Sequence, residues 1–274
     1  IPDFLTRLDR PERGGVWVDY RRERADALAQ AAAQLDREAD TPGRAPASGV
    51  RLLRWRESAE DEIIANAIFP RSTRSLDAIL GQVRALPDER RHELFAASVG
   101  KRGNRRHRPG REWEAPDYEF EVVSDYGAFR DLQRHRLLTI DWQPPTPHLG
   151  YQVPHEVEGA GVADTWRFAT ERAEAAWEEI VRTNPAQAAY LVTMQHRVRY
   201  LMRMNAREAM HLVELRSSPQ GHTSYRKVAQ DMHAAIRDVA GHHLVAGAMR
   251  FVNQADVHLG RLEAEQRGDS RASS

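Results

Sequence analysis

The hydropathy pattern changes period at one place around which the rest of the chain can be read. Arg197-Val198-Arg199-Tyr200-Leu201-Met202-Arg203 puts Val198, Tyr200 and Met202 on one face and arginines mostly on the other. That period of two predicts a half-buried strand. Asn205 follows as a helix N-cap. From Ala206 the period is helical: Ala206, Ala209, Met210 and Val213 form an apolar stripe, and Arg207, His211 and Glu214 a polar one. Arg216 closes this helix, residues 217–221 turn the chain, and a second helix starts near His222 and runs to Ala240. A strand, a capped helix start and an arginine-bearing helix end suit a phosphorylated ligand.

The same two periods recur along the chain. Val50 and Leu52 alternate in a strand over 49–56. Ser58 caps a helix with Ile63, Ile64, Ala67 and Ile68 inward, and Pro70 ends it. Residues 76–86 form a helix on Leu76, Ile79, Leu80 and Val83, and Pro87-Asp88 opens a third through Leu94 and Phe95. Residues 118–122 alternate as a strand with Glu119 and Glu121 on its polar face. Asp125 caps a short helix whose later part carries Arg130, Asp131, Arg134, His135 and Arg136. Residues 142–147 form a loop, because proline removes donors and fixes φ. Asp164 caps a long amphipathic helix bearing Trp166, Ala169, Ala173, Trp177 and Ile180, and Asn184-Pro185 opens another through Met194.

Residues 1–48 read as an appendage: a helix over 20–40 with Ala27, Leu28, Ala31 and Leu35 as a modest stripe, then a linker over 41–48. Residues 49–259 form the main domain and 260–274 a polar tail. No internal repeat is visible. Strands mixed with several helices predict an α+β fold, a mixed or antiparallel sheet packed with helices.

Composition then narrows the chemistry. The chain has 274 residues, enough for one or two domains. Its 40 Lys and Arg balance its 40 Asp and Glu, so no global charge argues for nucleic acid or membrane. The absence of cysteine excludes disulfides, iron–sulfur clusters, thiolate zinc sites and a cysteine nucleophile. No apolar run approaches ~18 residues and no signal peptide opens the chain, so a soluble cytoplasmic protein is expected. The first residue is Ile1 rather than Met, and the sequence reads as a piece of something longer.

The most basic segment is 101–111, where Lys101, Arg102, Arg105, Arg106, Arg108 and Arg111 occur without an acid. It reads either as a solvated mobile loop or as a phosphate or nucleic-acid contact. Trp113 alone stands near it, so a stacking platform for single strands is not supported. His211 and Glu214 share metal-ligand spacing without an evident third ligand, and no metal site is expected. Arg134 to Arg136 also read as a helix end that complements the macrodipole. His242 and His243 read as core or surface residues.

Residues 204–216, Met-Asn-Ala-Arg-Glu-Ala-Met-His-Leu-Val-Glu-Leu-Arg, resemble the C-terminal signature of the flavin-dependent thymidylate synthases: an Asn-x-Arg, an apolar helix and a terminal Leu-Arg. Gln133-Arg134-His135-Arg136 stands where that family has its Arg-His-Arg. The resemblance covers about 49–240. It implies a homotetramer that binds FAD, is reduced by NADPH, and passes a methylene group from methylenetetrahydrofolate to dUMP without a protein nucleophile. A cysteine-free chain is compatible with that, since the cofactor carries the difficult step.

Carried over by position, the resemblance places Arg134, His135 and Arg136 at the flavin, with Asn205 and Arg207. Glu114 keeps the acid of a further flavin-side stretch, in which Pro109 and Arg111 replace polar residues. His211 replaces another polar contact. Arg216 matches the arginine set against the pyrimidine, where a fixed cation polarises the base, and is the catalytic candidate. Asp131 stands where a glutamine contacts the nucleotide. The family's Ser-x-Asn-Glu-x-Ser-x-Arg-Tyr is replaced by residues 137–143 and prolines, with only Tyr151 matching, and the helix near Tyr190 lacks the phosphate arginine. Arg105 and Arg106, with Arg102 and Arg108, are the candidates to replace that clamp. Two functions follow as expectations: a thymidylate synthase-type enzyme, or a degenerate domain that assembles, senses a ligand or completes a partner's site. A nucleic-acid-binding protein using 101–111 is the third.

Overall fold

Alternation of buried and partly exposed positions, unbroken over Arg197–Asn205 and interrupted only near the end of Asp117–Asp125, fixes the register of the central strands. The computed structural model describes residues 3, 5, 6, 10–38 and 49–255. In it β1 (Gly49–Arg54), β2 (Asp117–Asp125), β3 (Thr139–Trp142) and β4 (Arg197–Asn205) form one antiparallel sheet in the order β1-β2-β4-β3. Phe120 pairs with Met202 and Val122 with Tyr200, and all four side chains are buried. A one-residue slip would turn this row away from the core, so burial holds the register. On the other face Arg51 meets Glu121 at 3.2 Å and Arg54 meets Glu119 at 3.0 Å. These pairs have one highly exposed partner and contribute little.

The chain divides into two compact units, 1–45 and 46–274. The first holds α1 (Val16–Glu38), whose Leu28 and Leu35 are exposed. In the second, the helices are α2 (Ala59–Ile68), α3 (Leu76–Arg84), α4 (Asp88–Val99), α5 (Tyr126–Leu132), α6 (His155–Gly159), α7 (Ala163–Ile180), α8 (Pro185–Ala188), α9 (Ala206–Arg216), α10 (Thr223–Asp238) and α11 (His243–Ala248). One core joins the inner sheet face to the apolar sides of α2, α9 and α10. Trp177 of α7 anchors a satellite cluster with Ala188 and Val192. No helix among the described residues is long and apolar enough to cross a membrane. The expected linker at 41–48 and tail at 260–274 lie outside the described residues.

Several local expectations are corrected. The β3 strand occupies residues read as helix exit and loop, and Pro144-Pro145 follow immediately. The α5 helix stops at Leu132, so Arg134-His135-Arg136 lie in the connection to β3. Beyond the buried Leu132 nothing apolar continues its inner face until the half-buried Leu138, so further helix would bury little. Ser58 does not cap α2; its hydroxyl donates to Glu62 Oε1 at 2.8 Å. Asp164 does not cap α7, which starts one residue earlier, after Val162; Asn184-Pro185 opens a helix as expected, but in place of a helix up to Met194 it is the short α8 followed by a 3-10 turn.

The largest correction concerns charge. Glu214, expected on a polar stripe, is buried with Arg102, at side-chain exposures of 1% and 2%. The guanidinium is bidentate on the carboxylate at 2.7 and 2.6 Å, and also donates to the carbonyls of His107 (2.6 Å) and Ala248 (2.7 Å). The basic segment is therefore anchored at its start, not a freely mobile loop, and Arg102 is unavailable to a phosphate. Arg102→Ala leaves a buried carboxylate unpaired and is expected to cost ~3–5 kcal/mol in urea denaturation. The apolar double replacement Arg102→Met with Glu214→Leu is expected to cost much less.

Candidate active site

The site grows from the β4–α9 junction. Asn205 stays extended and its side chain accepts from the Glu208 backbone N–H at 2.9 Å, so strand passes into helix with no intervening loop. The cap sets Glu208 in the first turn, buried, with its carboxylate 2.9 Å from His135 Nδ1. On the other side of the imidazole, Arg216 Nε donates to His135 Nε2 at 3.0 Å. Accepting at Nε2 leaves Nδ1 as the donor to Glu208, which fixes the neutral tautomer. Arg216 is held further by a bond from Nη2 to the Asp131 carbonyl at 2.7 Å, and its guanidinium lies 5.2 Å over the Tyr225 ring. Glu208, His135 and Arg216 thus form a continuous carboxylate–imidazole–guanidinium chain joining the first and last turns of α9 through the turn after α5.

His211 stands beside this chain, its ring 5.6 Å from that of His135. Arg108 Nη2 lies 3.1 Å from its Nδ1. Burial lowers the His211 pKa, Arg108, His135 and Arg105 push it further down, and Glu208 opposes them. The imidazole is therefore neutral at pH 7. Around these groups is a cleft of about 310 Å³, with Arg108, Arg134, Arg136 and Arg216 on its walls and Leu137 and Leu215 as its apolar surface. His135, Glu208 and His211 can each offer a ligand atom within 4.8 Å of one another, an arrangement that the His211–Glu214 spacing did not suggest. Guanidinium groups on both imidazoles oppose a dication there and favour an anion.

The sequence-predicted residues divide into groups. Arg134, His135, Arg136, His211 and Arg216 line the cleft. Asp131 joins it through Arg216 and through an ion pair with Arg134. Arg105 lies close enough to depress His211, while Arg106 is exposed and does not line the cleft. Arg207 and Glu114 have a different local role. Arg207 donates to the Pro109 carbonyl at 2.9 Å and to Glu114 at 3.3 Å, and Glu114 also holds Arg111. Together they clamp the basic loop onto α9. His242 is a core residue, its Nδ1 2.8 Å from the Tyr118 hydroxyl.

The sequence reading missed Glu208. An acid at the third helical position after an Asn cap is the usual capping-box partner, so its sequence signal is that of a local helix-start residue.

The antiparallel sheet, the Arg-His-Arg turn and the capped helix define a protein with the fold of flavin-dependent thymidylate synthases. The UMP/dUMP methylase PolB of Streptomyces cacaoi, solved with 5-Br dUMP, aligns with a TM-score of 0.58 at 16% identity, over 76% of this chain and 96% of that one. Thymidylate synthase X of Helicobacter pylori, solved with FAD and dUMP, aligns with a TM-score of 0.53 at 16% identity, over 74% of this chain and 99% of that one. Residues 98–241, more than half of the chain, match the family described as thymidylate synthase complementing protein, and the chain belongs to that family. A UPF0159 protein of Chlamydia pneumoniae is 33% identical over 97% of this chain. One of Chlamydia muridarum is 34% identical over 97%, and one of Thermoplasma acidophilum 34% over 81%. The chain spans about half the length of these relatives, 50%, 50% and 45%.

The pKa direction gives a test. By proton NMR, His211 should titrate below the ordinary histidine value near 6.5, and Glu208→Gln should lower it further by removing the opposing charge. The stability this contributes is present above about pH 6.5 and is lost as the pH falls through the folded-state value. Denaturation at acid pH should therefore show a smaller loss in His211→Gln than in the parent.

Proposed function

We propose that this chain forms the flavin and nucleotide site of a thymidylate synthase-type enzyme, which carries out FAD-mediated reductive methylation of a pyrimidine nucleotide of the dUMP-to-dTMP type. NADPH is the reductant and methylenetetrahydrofolate the one-carbon donor. The observation that carries this reading is the Glu208–His135–Arg216 chain beside an arginine-walled cleft. Arg134 and Arg136, with Arg108, supply planar donors suited to a pyrophosphate, and Leu137 and Leu215 supply apolar surface for a ring. These residues fit FAD and would hold it; when bound, the flavin supplies the hydride chemistry. Asn205, Arg207 and Glu114 act through the cap and the loop clamp, keeping α9 and the basic loop together.

Arg216 is the group that would act on the base. Its charge is permanent, and the bonds to His135 and the Asp131 carbonyl limit its freedom. A preorganised cation against a pyrimidine carbonyl stabilises charge that develops there. With no cysteine in the chain, that activation does not come from a thiolate of this chain.

A second reading is supported by the chain's spanning half of its relatives and lacking the family's nucleotide-phosphate donors. In it, the site is composite, completed by a further copy in a homo-oligomer such as a tetramer or by the rest of a longer polypeptide. The chain alone would then bind or sense ligand without turnover.

Purified protein mixed with FAD should retain a flavin spectrum through gel filtration, and under anaerobic conditions with methylenetetrahydrofolate present the reduced flavin on it should be reoxidised in a dUMP-dependent way. Retention without dUMP dependence favours the second reading, and loss of flavin contradicts both. Arg216→Lys should weaken dUMP binding by calorimetry roughly 10- to 100-fold, the value of a charge-assisted contact of ~1.5–3 kcal/mol. Asn205→Ala with Arg207→Ala should abolish flavin retention, with only ~1 kcal/mol lost for the cap. Unchanged flavin content would remove those two residues from the site.

A further inference from the structure

A larger cavity, about 420 Å³, has among its walls Tyr225, the residue whose ring carries the Arg216 guanidinium. It is enclosed by the end of β2, α5, the segment before α6, α7 and the start of α10. Its volume is that of small-molecule sites. Its chemistry is the reverse of the first cleft. No lysine or arginine lines it; the charged residues are Asp125, Asp131 and Glu156, and His222 is the other titratable group. Asp131 is paired with Arg134, but Asp125 and Glu156 have no ion pair among the described residues. Trp166 and Tyr225 supply flat aromatic surface.

Two wall residues have unsatisfied polar atoms. Trp166 Nε1 and Gln195 Oε1 are both shielded from solvent and without a hydrogen-bond partner. Such groups are uncommon in a settled core. The N-terminus of α10 also reaches the cavity and its dipole favours an anion, but it amounts to about half a charge, and His222 Nδ1 already accepts from Ser224 N–H. Two unpaired carboxylates outweigh it. A phosphate would be repelled here.

We propose that this cavity is a binding site for a neutral or cationic amino-substituted heteroaromatic ring. The ring stacks on Trp166 and its amino groups donate to Asp125 and Glu156. The site is separate from the anion-binding cleft, and the inference stands on the cavity alone, without any flavin.

Benzamidine, benzamide and benzoate, close in shape and differing in charge, test this by NMR on the whole chain without flavin. The indole N–H signal of Trp166 is assigned by its loss in Trp166→Phe. Benzamidine is expected to shift that signal with millimolar affinity, benzamide to shift it more weakly and benzoate not at all. Asp125→Asn with Glu156→Gln should weaken benzamidine about tenfold, the value of one charge-assisted contact. Asparagine preserves the helix cap and Glu156 is exposed, so this variant keeps the fold. The proposal is overturned if benzamidine leaves the signal in place, if benzoate binds as tightly, or if the double variant binds benzamidine like the parent.

Discussion

A strand that becomes a helix with no intervening loop has to turn at one residue, and here that residue is Asn205. Its side chain satisfies the Glu208 N–H that helix formation would otherwise orphan, and the pairing of β4 with β2 fixes the direction in which α9 leaves the sheet. Everything in the cleft then follows at helical spacing. Glu208, His211, Leu215 and Arg216 fall on one side of α9, while Met210 and Val213 go into the core. The site is therefore as rigid as the junction. The Arg-His-Arg turn, which has no regular structure of its own, takes its position from α9 through the bonds of His135.

The buried pair of Arg102 and Glu214 makes a second connection of the same kind. One guanidinium ties the basic loop, α9 and the carbonyl of Ala248 at the end of α11. Buried ion pairs are weak contributors to stability compared with apolar packing of equal volume, but they are demanding about geometry. The pair selects one arrangement of the loop, and Arg207 with Glu114 holds its far end. Between those two anchors, Arg105 and Arg108 are presented to His211.

Most of this framework was legible in the sequence, because β4 and α9 carry sharp periods and an unambiguous cap. The Arg-His-Arg turn and Arg216 were visible as motif residues. What stayed hidden was long-range pairing. Glu214 looks like any polar-stripe acid until its partner, 112 positions away in the chain, is seen. Glu208 looks like a local capping acid for the same reason. The β3 strand was missed because its four residues show no alternation: one is half-buried and three are exposed. Its pairing with β4 comes from tertiary context rather than local preference. The acidic cavity has no sequence signature at all, since its walls come from five separate stretches of chain.

That short strand also bears on how copies of this chain can meet. β3 is an edge, and an edge is where a sheet invites another strand. Here it offers only four residues, and two prolines that follow Gln143 lack the N–H groups a newcomer would need. The side of the sheet beyond β3 is thus a chemical dead end for growth. Any partner on that side has to be recognised by side chains on a face, not by backbone on a margin, so assembly there depends on sequence-specific contacts rather than on the generic stickiness of unpaired β-structure.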